Sequence, residues 1–212
     1  MVFDYLILID LWPFKEYHPE LNTNPEHYEG QVRMLLQNLN NFSFKETIIT
    51  NGTIGDKPDS DRSSFYPHHL VEEWMKEREK KVYICGKYHS ELFYTKDRSG
   101  YILDLLSSDK KILIGGTTWN ICLHQRTLGF ISLSNLGKQI YSSPKLCLAH
   151  HKHATPGGFT VPKLFENDEF VKWKVASEHP LIYQVERILN KSETTNECFS
   201  VIDRIKDIKL TY

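Results

Sequence analysis

Short apolar runs punctuate the chain and alternate with stretches of helical spacing. Residues 5–9 (YLILI) form a run of leucine and isoleucine bounded by Asp4 and Asp10, and 46–50 (ETIIT) form a second that stops at the turn signal Asn51-Gly52. Runs at 81–86 (KVYICG) and 111–116 (KILIGG) read as a third and a fourth strand, and 138–149 offers a fifth, as KQIYSS or as PKLCLA. Over 29–42, Val32, Leu35, Leu36 and Leu39 recur at the three-and-four spacing of a helix. The charged amphipathic stretch 68–81 predicts a surface helix, 100–110 a short helix, and 120–137 a helix that closes on Gly137 as a C-cap. Amphipathic spacing predicts further helices over 179–191 and 196–208, while 52–67, rich in Gly, Pro, Asp and Ser, reads as a loop.

Short apolar strands alternating with helices imply right-handed βαβ units. A sheet of that kind is covered by helices on both faces, so its strands read as near-continuous apolar runs. The expected fold class is α/β: a three-layer α/β/α sandwich, Rossmann-like, with a mostly parallel sheet of five to six strands. A chain of 212 residues suits one domain with a full core over 1–212. The stretch 150–178 (HHKHATPGGFTVPKLFENDEFVKWKVAS) breaks the alternation and is expected to be an irregular insertion or lid.

Charge removes two classes of partner. The formal net charge is -1, so no basic footprint points to nucleic acid or to a membrane surface. The apolar start carries Asp4 and Asp10 and ends at Pro13, which reads as a buried strand and not as a signal peptide. Cys85, Cys122, Cys147 and Cys198 are scattered with no CxxC pair, so free thiols in a reducing compartment, the cytoplasm, are expected.

In an open parallel sheet, ligands bind beyond the carboxyl ends of the strands. Asp10 follows the first strand, Lys87 the third, and Gly115-Gly116-Thr117-Thr118 the fourth, with Cys122 in the first turn of the helix beyond. An acid, a base and a thiol therefore share one rim. The reactive form of cysteine is the thiolate, and a helix N-terminus or a nearby ammonium favours it. Asp10 has the chemistry to take the thiol proton and return it to a leaving group, and N–H groups of the helix turn to stabilise an oxyanion. The plainer readings are a cap for Asp10, a solvated rim lysine for Lys87, and core packing for Cys85, Cys147 and Cys198. The aromatics Trp12, Phe14, Tyr88, Phe93 and Trp119 lie beside the rim in sequence, as core-edge residues or as walls of a small-ligand pocket. Histidines cluster at His68-His69 and at His150, His151 and His153, where the polar HHKH reads as a solvated stretch, and neither a metal site nor a cofactor is expected.

The order of a strand ending in Asp, a strand followed by Lys, and LIGGTTWNICL (113–123) resembles the isochorismatase-like cysteine hydrolases, which include nicotinamidases, N-carbamoyl amide hydrolases and isochorismatases. The resemblance spans about 3–149. It implies a triad of Asp10 as general base, Lys87, and Cys122 as nucleophile. It also implies an oxyanion hole from the backbone N–H groups of Thr118 and Cys122, a small-molecule substrate, and a homodimer or homotetramer. The chain departs from the family at Trp12, where Gln is usual, at Pro13, at Glu91, where Ser is common, and at Asn51, with no Asp-x-His to match the zinc site of nicotinamidases. The activity implied is hydrolysis of a C–N bond in a small amide or ureido compound through a thioester. Two alternatives stand beside it: a catalytically degenerate member that binds a metabolite or a protein partner, and a vinyl ether hydrolase of the isochorismatase type.

Overall fold

The run 5–9 lies inside β1 (Val2–Ile9), a central strand whose two faces feed two separate cores. Ile7 and Ile9 pack on one side with Ile48, Ile112 and Ile114. Phe3, Leu6 and Leu8 pack on the other with Phe44, Ile49 and Leu113. Burial on both faces is why the run shows no polar alternation. The computed structural model describes residues 1–11, 25–51, 68–78, 82–86, 92–95, 98–101, 105–117, 119, 122–126, 128–149, 154–168, 171–176 and 178–186.

Parallel pairing runs from β3 (Val82–Gly86) through β2 (Ser43–Asn51), β1 and β6 (Lys111–Thr117) to β7 (Gln139–Leu148). Antiparallel strands extend both sides of this centre. β4 (Leu92–Thr95) and β5 (Arg98–Tyr101) continue beyond β3, and β9 (Tyr183–Glu186) and β8 (Lys172–Val175) continue beyond β7. The order β5-β4-β3-β2-β1-β6-β7-β9-β8 makes nine strands among the described residues, with the expected parallel sheet as its core.

Helices cover both faces. α1 (Pro25–Asn38) continues into a 3-10 turn over Leu39–Asn41, and it packs with α2 (His69–Lys76) on the face that holds Leu6 and Leu8. The opposite face is covered by α3 (Cys122–Gln125), α4 (Phe130–Asn135) and Phe165 of α5 (Pro162–Glu166). The predicted stripe Val32, Leu35, Leu36 and Leu39 is buried along α1 and its 3-10 turn, with Tyr28 one turn earlier.

Four elements differ from expectation, each for a local reason. The helix expected over 120–137 is two helices. Gly129 is extended at the N-cap of α4, and its N–H donates to the Arg126 carbonyl at 2.7 Å to close a tight turn. The second piece does end at Gly137: Gly137 N–H donates to Ser134 O and Lys138 N–H to Leu133 O, the paired bonds of a Schellman cap. The helix expected over 179–191 is instead strand β9 at 183–186, where Tyr183 and Val185 are buried and alternate with Gln184 and Glu186. Of the helix expected over 100–110, Leu105 is helical, Gly100 and Tyr101 belong to β5, Ser107 to Lys110 form a turn, and 102–104 lie outside the described residues. KQIYSS and PKLCLA are one strand. β7 shifts register between Ser142 and Cys147, and Pro144, which has no N–H to give to a ladder, sits in that irregularity. The stretch 150–178 supplies Phe165 to the core and β8 to the sheet edge. The loop 52–67 and the helix expected over 196–208 lie outside the described residues.

His68 caps α2. Its Nδ1 accepts from Leu70 N–H at 3.2 Å, its own N–H donates to Leu11 O at 2.8 Å, and its ring meets Tyr28 edge-on at 5.8 Å. Burial, joined by His69 and Arg33 against an opposing Glu29, pushes its pKa down to about 4. Only the neutral ring has a lone pair for Leu70. The unfolded chain binds this proton near pH 6.5, so the stabilisation is complete above that pH and is lost as pH falls toward 4, at most of the order of 3 kcal/mol. His68→Asn keeps an acceptor for the cap and removes the titration. Its melting temperature is expected to fall less than wild type between pH 7 and pH 4.5. Parallel curves for the two proteins would refute this account of His68.

Candidate active site

β1, β2, β3 and β6 end together: Ile9 lies beside Thr50 and Gly116, and Asn51 beside Gly86. Asp10 is the first residue past this edge. Its backbone is left-handed, φ 54°, which Asp tolerates better than most residues. Both neighbouring strands pin it. Its N–H donates to Thr50 O at 2.9 Å, and its carbonyl accepts from the Thr117 hydroxyl at 2.6 Å. The carboxylate, 1% exposed, accepts from Arg126 Nε at 2.7 Å.

Cys122 opens α3, and its carbonyl accepts from Arg126 N–H at 3.1 Å, so the two side chains stand one helical turn apart. Arg126 Nη2 lies 3.7 Å from Cys122 Sγ. The guanidinium therefore touches the carboxylate after β1 and the sulfur that starts α3. Burial acts to depress the Arg126 pKa, but the Asp10 carboxylate and the Cys122 sulfur hold it above its ordinary value. The Ser132 hydroxyl and Gly129 N–H both donate to the Arg126 carbonyl and fix the end of this turn.

Two glycines let the edge close. Gly116 has φ 133°, and a Cβ there would overlap the Ile9 carbonyl and stand 2.7 Å from Ile9 N. A Cβ at Gly115 would stand 2.8 Å from Leu146 O. The glycine pair thus answers to the backbones of β1 and β7.

Trp119 hangs from β7 by its N–H, which donates to Leu148 O at 2.8 Å. Its ring is 2% exposed, stacks on Phe165 at 4.3 Å and meets Trp173 at 5.3 Å. Of the two readings for this residue, pocket wall and core, the packing is that of the core. His124 secures the same turn. Its Nδ1 donates to the Trp119 carbonyl at 2.7 Å, and Nε2 stands 3.2 Å from Asp168 Oδ2. Asp168 in turn accepts from Val171 N–H at 3.0 Å, so α3 is tied to the segment after α5.

The structure brings Asp10 and Cys122 onto one cluster, and it adds Arg126, which the sequence reading passed over. The usable signal was the four-residue spacing from Cys122. Lys87, Thr118, Trp12, Phe14 and Tyr88 lie outside the described residues, as do His150, His151 and His153. Phe93 is described by backbone alone, in β4 opposite Gly100. Among the described residues no three His, Cys, Asp or Glu side chains are grouped to hold a metal, and no helix is long and apolar enough to cross a membrane.

No family model and no curated protein matches the chain. Solved structures do. The nicotinamidase of Staphylococcus aureus is 16% identical with a TM-score of 0.44, over 79% of this chain and 94% of its own. The nicotinamidase of Bacillus subtilis is 14% identical with a TM-score of 0.42, over 74% and 91%. An isochorismatase-family protein from Chromobacterium violaceum is 13% identical with a TM-score of 0.37, over 96% and 86%.

Cys147 marks the contrast with Cys122. It is fully buried in β7, where burial pushes its thiol up to about 12 against the opposing pull of a Ser142 contact at 3.2 Å. A thiol so placed is inert at neutral pH.

Proposed function

We propose that the protein is an isochorismatase-like cysteine hydrolase that cleaves a C–N bond of a small amide or ureido compound through a thioester. One observation carries the reading: an acid, a guanidinium and a helix-starting thiol are in contact at the carboxyl edge of a parallel sheet, where such sheets bind ligands. Asp10 and Cys122 of that contact match the family motif, as does Gly116, which lies beside Ile9 at the same sheet edge.

Cys122 Sγ attacks the carbonyl carbon as the thiolate, and Asp10 takes up a proton in exchange for the one the thiol gives up. The oxyanion that forms takes hydrogen bonds from backbone N–H groups of the turn, Cys122 N–H among them. Asp10 gives the proton to the departing nitrogen, the C–N bond breaks, and a thioester remains. Water then loses a proton to Asp10 and attacks the thioester, which releases the acid and restores the thiolate. Lys87 is assigned to hold the charges of the site in place. A reducing compartment such as the cytoplasm suits a nucleophile that must stay reduced.

Wild type and Cys122→Ala should be assayed against nicotinamide, carbamoylated amines, biuret, ureidoacrylate and isochorismate. Turnover of a C–N substrate is expected, falling roughly a thousandfold or more in the variant. Turnover indifferent to the substitution would sink the thioester mechanism. Cleavage of isochorismate alone would move the assignment to vinyl ether hydrolysis, and no turnover with a ligand retained through purification would make the protein a binder.

A further inference from the structure

We infer that Arg126 acidifies the Cys122 thiol, so that the nucleophile rests as a thiolate held by the guanidinium. The inference rests on the reading of Cys122 as the nucleophile, and it assigns a role to a residue outside the Asp–Lys–Cys set.

The geometry is specific. Arg126 donates through Nε to Asp10 Oδ2 at 2.7 Å, and a different arm, Nη2, reaches Cys122 Sγ at 3.7 Å. A guanidinium does not lose its proton under these conditions, so it acts as a fixed positive charge and never as a proton relay. A sulfur within reach of such a charge ionises more readily, as cysteines beside Arg or Lys do. Among the described residues, the charged groups that meet this sulfur and its partner come from two elements: Asp10 from the end of β1 and Arg126 from the end of α3. His124 on the same helix faces the Trp119 carbonyl and Asp168, and Cys147, in the same core, faces Ser142. Asp10 shares the guanidinium, so its carboxylate moderates the effect on the thiol. Losing Arg126 and losing Asp10 should therefore move the thiol in opposite directions. On ionisation the thiol proton goes to water. Asp10 then takes up from solvent the proton that it delivers to the leaving nitrogen.

The test is the pH dependence of iodoacetamide alkylation at Cys122, read by mass spectrometry on the native protein. In that reaction the thiolate forms an S–C bond and iodide leaves. The wild-type midpoint is expected at least about one pH unit below the roughly 8.5 of an ordinary thiol. Arg126→Gln should raise it by about one unit, a tenfold loss of rate at pH 6.5. Arg126→Lys should restore most of the shift, and Asp10→Asn should lower the midpoint further. A wild-type midpoint at or above that of an ordinary thiol would overturn the inference, whether or not the glutamine variant folds. So would an unchanged midpoint in a folded Arg126→Gln protein. The readout needs no substrate. A low midpoint that depends on Arg126, with no turnover of the panel, would leave the inference standing while the hydrolase reading fails.

Discussion

Gly116→Ala yields no folded protein in the expected result. The residue lies beside Ile9 in the central ladder at φ 133°, a conformation that an L side chain rarely adopts. A residue held in such a region costs roughly 1–3 kcal/mol. The added methyl also meets the Ile9 carbonyl and, at 2.7 Å, the Ile9 nitrogen. Those atoms belong to the backbone of a strand paired on both sides, so they have nowhere to move. Overpacking of this sort adds roughly 1–3 kcal/mol and occasionally more. Against a total stability of roughly 5–15 kcal/mol the sum is a large part of the whole. Soluble expression and a circular dichroism melt provide the measurement. Gly30→Ala is the control: a Cβ there, inside α1, meets nothing within 4 Å, and the change should stabilise by about 0.5–1 kcal/mol. A Gly116→Ala protein that melts within a few degrees of wild type would show that β1 and β6 do not approach as described.

Trp119→Ala should cost roughly 3–5 kcal/mol, the range for emptying the site of a buried aromatic. The ring is shared among Phe130, Phe165, Trp173 and His124, so its removal leaves four neighbours facing a void. The loss should appear as a lower urea midpoint with an unchanged slope. Trp119→Phe keeps the stack on Phe165 and should lose much less. If Trp119 were a pocket wall, the alanine variant would keep its stability and change its substrate preference. A loss under about 1 kcal/mol would therefore return this residue to the pocket.

The centre of the fold was legible because its physics is local. β1, β2 and β6 are buried on both faces and read as apolar runs, and the stripe of α1 follows from the 3.6-residue period. The outer strands were not legible. In YQVE, two buried residues alternate with two polar ones over four positions, too short a signal to stand out from a helix-like stretch. The break between α3 and α4 depends on a turn closed by Gly129 and the Arg126 carbonyl, and helical spacing carries no trace of it. At the site, Asp10 and Cys122 could be found because each follows a strand. Arg126 carried only its four-residue spacing from Cys122, because what makes it a site residue is the end of β1, 116 positions away in sequence. The glycine pair was visible as a motif, but its cause lies in Ile9 and Leu146.

Among the described residues the sheet ends on the β9 side at β8. β8 is four residues long and points Lys172 and Lys174 outward to solvent. A second strand laid against it would find a short template and two like charges, the features by which natural sheets resist growing from one molecule into the next. Among the described residues the same four residues complete the sheet and end it, and their two exposed lysines disfavour pairing with a second molecule along that edge.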